Sequence, residues 1–493
     1  MRSWRRSAEA PLLPIPVATY VTGTAFLGLG AVMGLLGVVD GFYGEDALGF
    51  VLGAALGIGT GLLFRRLGSV RGEPSRAEAL FTVAALWLMI PVLGAVPFWV
   101  SGGMSYLDAL FEAMSGFTTT GATVLTDFST WGYGLFLWRS LIQWFGGMGI
   151  LALFIVVLPH LAVAGRQMFF AEITGVQKEQ LTPKLRQTAQ AILRVYLTLT
   201  AVILVAYLLC GMSPFEAITN ALSTVSAGGF SPNPQSFSAY SPLIQWVAAG
   251  AMFLTGVNLL LQYRVLFGRE LRAPLRDPEF RAYGLIVLFA GLALALTLYL
   301  RHNYDIEPAL RHAYFQVTSL ITGTGFASAD FARWVVPAQV ILVSLMFVGG
   351  SAGSVGGSIK VIRWLVVGAI VRREFMRVLH PQAVLPLRVG KKSLTDDAMR
   401  SVAAFITLYV MLFGFGAVVL GMLEEDFVVA FTASAAAVGN IGPGLGTVGP
   451  MAHYGELHPL SKLTMIFQMW AGRIELIAVF SLFTPELWRK LRS

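Results

Sequence analysis

Charge is scarce in this sequence. Of 493 residues only 13% are charged and 56% are hydrophobic, whereas a soluble domain carries about 25% charged residues. Cysteine occurs once, at Cys210, which excludes an internal disulfide and leaves a small apolar side chain. The six histidines form no metal spacing. No Walker motif, H-E-x-x-H or C-x-x-C is present, so the motifs of nucleotide hydrolysis and zinc chemistry are missing. What the chain has instead is a succession of apolar runs of roughly 20 residues, the length that crosses a bilayer as a helix. These features predict an all-α polytopic membrane protein. The net charge of +8 fits basic residues gathered in alternate loops better than it fits nucleic-acid binding.

Two apolar runs come first, Pro14–Val39 and Leu48–Phe64. The first is too long for the core of a cleaved signal and reads as a retained helix behind a basic, cytoplasmic N-terminus. A pattern then recurs four times: a long run, a short run, a glycine-rich loop, a long run. The long runs before the loops are Ala79–Val100, Thr188–Leu209, Ala282–Leu300 and Met399–Leu420. The short runs are Tyr106–Phe117, Pro214–Val225, Pro308–Ile321 and Asp426–Val438. The closing runs are Tyr133–Leu158, Leu243–Leu266, Val335–Val371 and Leu460–Leu482. The expected division is a helix pair (1–76) and four modules (77–165, 166–270, 271–390 and 391–493), with ten spanning helices and four re-entrant hairpins. Loops between modules are rich in Arg and Lys. Loops within modules are poorer in them, with Arg301, Arg311, Arg333 and Lys462 as exceptions. This bias predicts both termini inside and all four hairpins outside.

The four loops are SGFTTTG, STVSAGG, SLITGTG and AAVGNIG, ending at Gly121, Gly229, Gly325 and Gly442. Non-helical backbone at membrane depth costs several kcal/mol per unpaired peptide group in lipid, so it survives only where it is buried or lines water. A half-helix entering from one face points its negative dipole end at the membrane centre, which favours a cation. Carbonyls on the loop that follows can replace a hydration shell. None of the loops carries a carboxylate, which disfavours calcium and magnesium and suits a weakly hydrated monovalent cation, potassium before sodium. The hydroxyls of Thr118, Thr119, Thr120, Ser226, Thr322 and Thr324 either add oxygens or brace the loops.

The module and the strings SGFTTTGAT, STVSAGGFSPN, ITGTGF and VGNIGPG resemble the Trk/Ktr/HKT superfamily of potassium transporters. The extra N-terminal helix pair makes the chain most similar to the TrkH-type subunit of bacterial Trk systems. The resemblance implies a pseudo-fourfold pore for K⁺ in the bacterial cytoplasmic (inner) membrane, assembled as a homodimer. It also implies a cytosolic, TrkA-like regulatory subunit with nucleotide-binding domains, docking on basic inner loops that equally well serve topology and anionic lipid. No cofactor is expected in this chain, and no enzyme activity. By this resemblance the filter is Thr118, Thr119, Thr120 and Gly121; Ser226, Ala227, Gly228 and Gly229; Thr322, Gly323, Thr324 and Gly325; and Gly439, Asn440, Ile441 and Gly442. Glycine at Gly121, where some sodium-preferring relatives have serine, favours potassium.

Two further positions stand out. VGGSAGSVGGSIK (Val348–Lys360) puts glycines where a helix interior should be, each costing about 1 kcal/mol relative to alanine. The expectation is a broken helix whose residues Gly349, Gly350, Ser351, Ala352, Gly353, Ser354, Val355, Gly356, Gly357, Ser358 and Lys360 block or admit ions, and the resemblance makes this segment the gate. Arg473 sits in the last apolar run. A charge there costs at least ~2.5 kcal/mol without a partner or water, so it is either a structural ion pair or, as the resemblance implies, a positive barrier in the pore. Two rival readings are sodium-preferring or ion-coupled transport on the same fold, and an intramembrane serine hydrolase using Ser351 of the G-x-S-x-G string. The hydrolase lacks both the strand-to-helix context and a nearby histidine.

Overall fold

The computed structural model describes residues 16–69, 75–156, 181–382, 386–390, 392–474 and 476–492. The basic N-terminal stretch, Arg71, Arg166, Lys178, Lys391 and Glu475 lie outside them. The described chain is helical apart from a two-residue ribbon that pairs Arg388 with Ser393 and Val389 with Lys392.

Helices α1 (Pro16–Tyr43) and α2 (Leu48–Leu67) pack through small residues. A Cβ on Gly57 would lie 2.9 Å from the Gly30 Cα, and one on Gly30 would lie 2.9 Å from the Ile58 nitrogen. The backbones therefore touch, which is how helices associate where lipid supplies no hydrophobic drive.

The repeated part begins with α3 (Arg76–Gly94), opened by a Ser75–Glu78 capping box. There follow α4 (Tyr106–Phe117) and α5 (Tyr133–Val156), then α6 (Leu181–Leu209) and α7 (Pro214–Val225). Next come α8 (Pro242–Thr255) and α9 (Leu259–Leu266), then α10 (Pro278–His302) and α11 (Ile306–Thr322). After these are α12 (Val336–Leu345), α13 (Val361–Leu379), α14 (Asp396–Glu424) and α15 (Phe427–Gly439). The chain closes with α16 (Pro459–Arg473), α17 (Leu476–Ser481) and α18 (Pro485–Arg492).

The short helices α4, α7, α11 and α15 start where a polar residue precedes the apolar run. The Ser105, Ser213 and Asp426 side chains accept from backbone N–H groups of the first turn. Three of the four N-termini are thereby finished by their own side chains, whereas Asp305 at the N-cap of α11 makes no such bond. Their bodies are almost wholly buried, whereas Leu288, Phe289, Leu292 and Leu296 of α10 and Met411, Phe415 and Val418 of α14 are exposed on an apolar outer face. That is the arrangement of a protein whose solvent is lipid, with the short helices inside.

Six described helices are long and apolar enough to cross a membrane, and a seventh span arises if α8 and α9 count as one. The expectation of ten spans with a break only in the closing run of the third module needs correction in one respect. Closing runs two, three and four are each interrupted, where sequence reading anticipated only the third break. The α8–α9 pair bends by 107° at Gly256–Asn258. Asn258 makes the second half possible, its Oδ1 accepting from Leu260 N at 2.8 Å and Leu261 N at 3.3 Å. It is the N-cap of α9. α16 stops at Arg473 and the chain resumes as α17.

Three exceptions to the charge bias are also explained. Lys462 Nζ lies 2.5 Å from Asp108, Arg311 Nε 2.9 Å from Glu307, and Arg333 Nε 2.9 Å from Asp330. Each cation is matched by a carboxylate beside it.

Candidate functional site

Each short helix ends in the same way. In α4 the N–H of Thr119 bonds to Gly116 O at 2.9 Å and that of Thr120 to Ser115 O at 2.8 Å. In α7 the pairs are Ala227–Thr224 (3.0 Å) and Gly228–Ser223 (2.9 Å). In α11 they are Gly323–Leu320 (3.1 Å) and Thr324–Ser319 (2.9 Å), and in α15 Asn440–Ala437 (3.3 Å) and Ile441–Ala436 (3.0 Å). This double bond back into the last turn is a Schellman motif, which requires a left-handed residue just past the helix. Thr119 (φ 51°), Ala227 (54°), Gly323 (78°) and Asn440 (52°) supply it. Only one of the four is glycine, so three side chains are held in a conformation they disfavour by roughly 1–2 kcal/mol each. Two residues on, φ turns positive again at Gly121 (82°), Gly229 (77°), Gly325 (80°) and Gly442 (99°).

The motif spends the donors and leaves the acceptors. Among the described residues no backbone N–H bonds to the carbonyls of Thr119, Thr120, Ala227, Gly228, Gly323, Thr324, Asn440 or Ile441. These eight oxygens are buried in protein without a backbone partner, an arrangement that invites a cation.

The four loops also close on one another. A Cβ built on Gly121 would fall on the Gly228 carbonyl oxygen, one on Gly229 on that of Thr324, and one on Gly325 on that of Ile441. A Cβ on Gly442 would lie 2.8 Å from the Thr120 oxygen. Loop one thus abuts two, two abuts three, three abuts four, and four abuts one. Each closing glycine faces the carbonyl of the residue before its neighbour's closing glycine, and no larger residue fits there.

Most of the hydroxyls brace. Thr118 Oγ1 donates to Met114 O (2.7 Å) and meets Thr120 Oγ1 (2.8 Å). Thr322 Oγ1 does the same with Thr318 O and Thr324 Oγ1, both at 2.7 Å. Ser226 Oγ donates to Leu222 O at 2.8 Å. The fourth loop, which lacks a hydroxyl, uses Asn440. Its Nδ2 donates to Thr120 Oγ1 (3.0 Å) and to Met469 O (2.9 Å), so the amide stands in for the missing threonine pair.

Several residues outside the loops support the ring. Gln143 Nε2 donates to Gly228 O at 2.6 Å while its Oε1 accepts from Phe230 N at 3.1 Å. Tyr454 donates its hydroxyl to Gly442 O at 2.7 Å. A fully buried ion pair joins Arg139 to Glu112 at 2.6 Å. Arg139 also donates to Ser231 O at 2.9 Å and lies 3.6 Å over the Phe230 ring, and Glu112 accepts from Val124 N at 2.9 Å. For Gln143, Arg139 and Glu112 the sequence signal is a polar residue inside an apolar run, whereas Tyr454, in the loop before α16, carries none. A cavity of about 140 Å³, lined by Gly121, Gly229, Gly325, Gly442, Arg139 and Tyr454 among others, lies on this side of the ring.

The glycine-rich segment meets the ring from the other side. A Cβ on Gly356 would fall on Thr322 O and one on Gly357 on Gly439 O, so this backbone lies directly against the ends of α11 and α15. It is pinned at several points. Ser351 N donates to Gly256 O (2.8 Å) and Leu259 N to Gly353 O (3.1 Å), both at the α8–α9 break. Arg473 Nη1 donates to Val355 O at 2.9 Å. Lys360 Nζ donates to Gly356 O and reaches Ser354 Oγ at 3.4 Å. Ser358, itself left-handed at φ 58°, donates to Met346 O at 2.7 Å. Arg473 is buried, and its Nε and Nη2 have no hydrogen-bond partner among the described residues. The Ser351 hydroxyl is likewise without a partner, so no base stands ready to activate it.

The profile of the TrkH cation transport protein matches residues 54–490. The chain belongs to the TrkH family. The Trk system potassium uptake protein TrkH of Halomonas elongata is 36% identical over 448 residues, covering 90% of this chain and 92% of the relative. The Escherichia coli K12 TrkH is 34% identical over 425 residues, 85% and 88% of the two chains. The crystal structure of the potassium transporter TrkH from Vibrio parahaemolyticus superimposes with a TM-score of 0.87 at 31% identity, covering 96% of this chain and 99% of that one. Membership of the TrkH family accounts for a multi-pass helical fold and for relatives named for transport and not for catalysis.

Proposed function

We propose that this chain takes up potassium across the bacterial inner membrane through the ring of four glycine-closed loops. One observation carries the reading: the loops close in cyclic order, with left-handed residues at the same two positions and eight carbonyls free of backbone partners. A partly dehydrated monovalent cation is the ligand such oxygens suit, and the absence of carboxylates in the loops disfavours divalent ions. Thr118–Gly121, Ser226–Gly229, Thr322–Gly325 and Gly439–Gly442 form the filter, and the modules 77–165, 166–270, 271–390 and 391–493 each contribute one wall. Gly349–Lys360 is the gate beneath it. Arg473 is the barrier, its free guanidinium nitrogens adding positive charge where ions leave the filter.

Potassium is the transported ion, and no cofactor acts in this chain. An inside-negative potential contributes about 2.3 kcal/mol per charge per 100 mV, enough to drive accumulation. The charge bias supports cytoplasmic termini. The assembly is a homodimer regulated by a cytosolic, nucleotide-binding, TrkA-like subunit. The test is growth of a bacterium lacking its potassium uptake systems, supplied with this chain and the host's own regulatory subunit on limiting potassium. Rescue that is lost when Gly229 is replaced by alanine supports the reading. Equal rescue by that variant, present at wild-type level in the membrane, refutes it.

A further inference from the structure

We infer that Glu279 is a positioning residue that holds the glycine-rich segment shut, opposite the hold provided by Arg473. Glu279 lies at the start of α10, at the end away from the re-entrant helix α11, and is buried with 8% exposure. Its Oε1 accepts from two backbone donors: Ala352 N at 2.7 Å and Ile362 N at 3.0 Å. The first donor lies inside the glycine-rich segment and the second in the first turn of α13, just past its end. One oxygen therefore draws the two sides of the segment together.

The chemistry favours this role. A segment so rich in glycine has a large conformational entropy to lose and does not hold one shape by itself. Its other anchors include backbone pairs with Gly256 and Leu259, the Gly349–Ile359 and Val361–Gly350 backbone bonds that join its own ends, the Arg473 bond to Val355 O, and the Lys360 and Ser358 contacts. Among the described residues, Glu279 is the carboxylate that accepts hydrogen bonds from this backbone. Charge-assisted bonds of this kind are about twice as strong as neutral ones. The carboxylate also sits at two helix N-termini, its own and that of α13, where the helix dipoles favour negative charge. Anchors reach the segment from the α8–α9 break, α10, Met346 just past α12, Tyr409 of α14 and the end of α16. Release at Glu279 loosens the segment without altering a filter residue.

The inference rests on the reading of this segment as a gate, and the experiment separates the two. Full-length protein is purified and placed in proteoliposomes, and potassium and sodium tracer influx are measured for wild type, Glu279→Gln, a deletion of 352–357, and the combination. Glu279→Gln keeps the volume and removes the charge. The expected result is a rise in potassium influx of about tenfold, the factor that 1.4 kcal/mol produces, with the potassium-to-sodium ratio unchanged and no further rise when combined with the deletion. A merely structural defect would degrade the ratio as well. If the deletion raises influx and Glu279→Gln does not, the Glu279 inference is overturned and the gate stands. If the deletion leaves influx unchanged, the gate reading falls and the inference with it. If Glu279→Gln does not purify as a single species, Glu279→Asp decides through amide hydrogen exchange. Faster exchange at Ala352 and Ile362 with raised influx supports the inference, and unchanged exchange at both overturns it.

Discussion

Replacing Gly121 with serine tests the ring at one point whose geometry is fully specified. Gly121 has φ 82° and faces the Gly228 carbonyl oxygen, on which any Cβ would fall. The left-handed backbone alone costs a non-glycine residue roughly 1–2 kcal/mol. The steric conflict has no inexpensive outlet, because Gly228 O is fixed by Gln143 at 2.6 Å. Swinging that carbonyl aside gives up a hydrogen bond with a net value of about 0.5–1.5 kcal/mol. Some 2–3 kcal/mol of strain thus falls on the contact between loops one and two, and the relief open to the chain is retraction of one loop. Coordination at that wall then weakens by a similar amount. At 1.4 kcal/mol per factor of ten, the potassium-over-sodium influx ratio should fall by on the order of tenfold to a hundredfold. The assay is paired tracer influx into proteoliposomes, with Gly250→Ala as control, since a Cβ at Gly250 meets nothing within 4 Å. An unchanged ion ratio in a well-assembled Gly121→Ser protein would refute the reasoning.

Three other outcomes follow from the same geometry. Gln143→Leu frees Gly228 O and leaves Phe230 N unpaired in a buried site. It should cost about 1–3 kcal/mol, read as a lower melting temperature in detergent together with reduced ion preference. Glu112→Gln strips the buried Arg139 of its counter-charge and should destabilise by about 3–5 kcal/mol, whereas the double replacement Glu112→Gln/Arg139→Met should recover much of that in the same thermal assay. Arg473→Ala removes both the bond to Val355 O and the buried positive charge. Potassium influx should rise several-fold, and a fall to background would show that Arg473 supports the fold more than it restrains ions.

The extent to which this was legible in the sequence differs from part to part. The short helices were readable almost to the residue, as Tyr106–Phe117 and Pro214–Val225 show. An apolar run between a polar cap and a glycine-rich loop leaves little choice of boundary. The loop positions were readable because glycine is demanded twice over, by φ and by the neighbouring carbonyl. The left-handed residue two places before each closing glycine was not legible in the first two loops, since Thr119 and Ala227 carry no conformational signature of it, whereas Gly323 and Asn440 are the residue types that a left-handed helix end favours. The α8–α9 bend was missed because Thr255-Gly256-Val257-Asn258 sits in an apolar run, and only Asn258 acting as a cap reveals the break. Glu279 has no sequence signal that sets it apart, because its bonds to Ala352 and Ile362 depend on tertiary folding. Gln143 was noticed as a polar residue in an apolar run, but which oxygen it holds is a property of the packed ring.

The most direct test of the central claim is simultaneous potassium and sodium tracer influx into proteoliposomes holding the wild-type chain, with the interior made electrically negative. The account predicts influx that rises with the imposed potential and strongly favours potassium, because carbonyls without carboxylates define the path. Influx of sodium equal to that of potassium would contradict it.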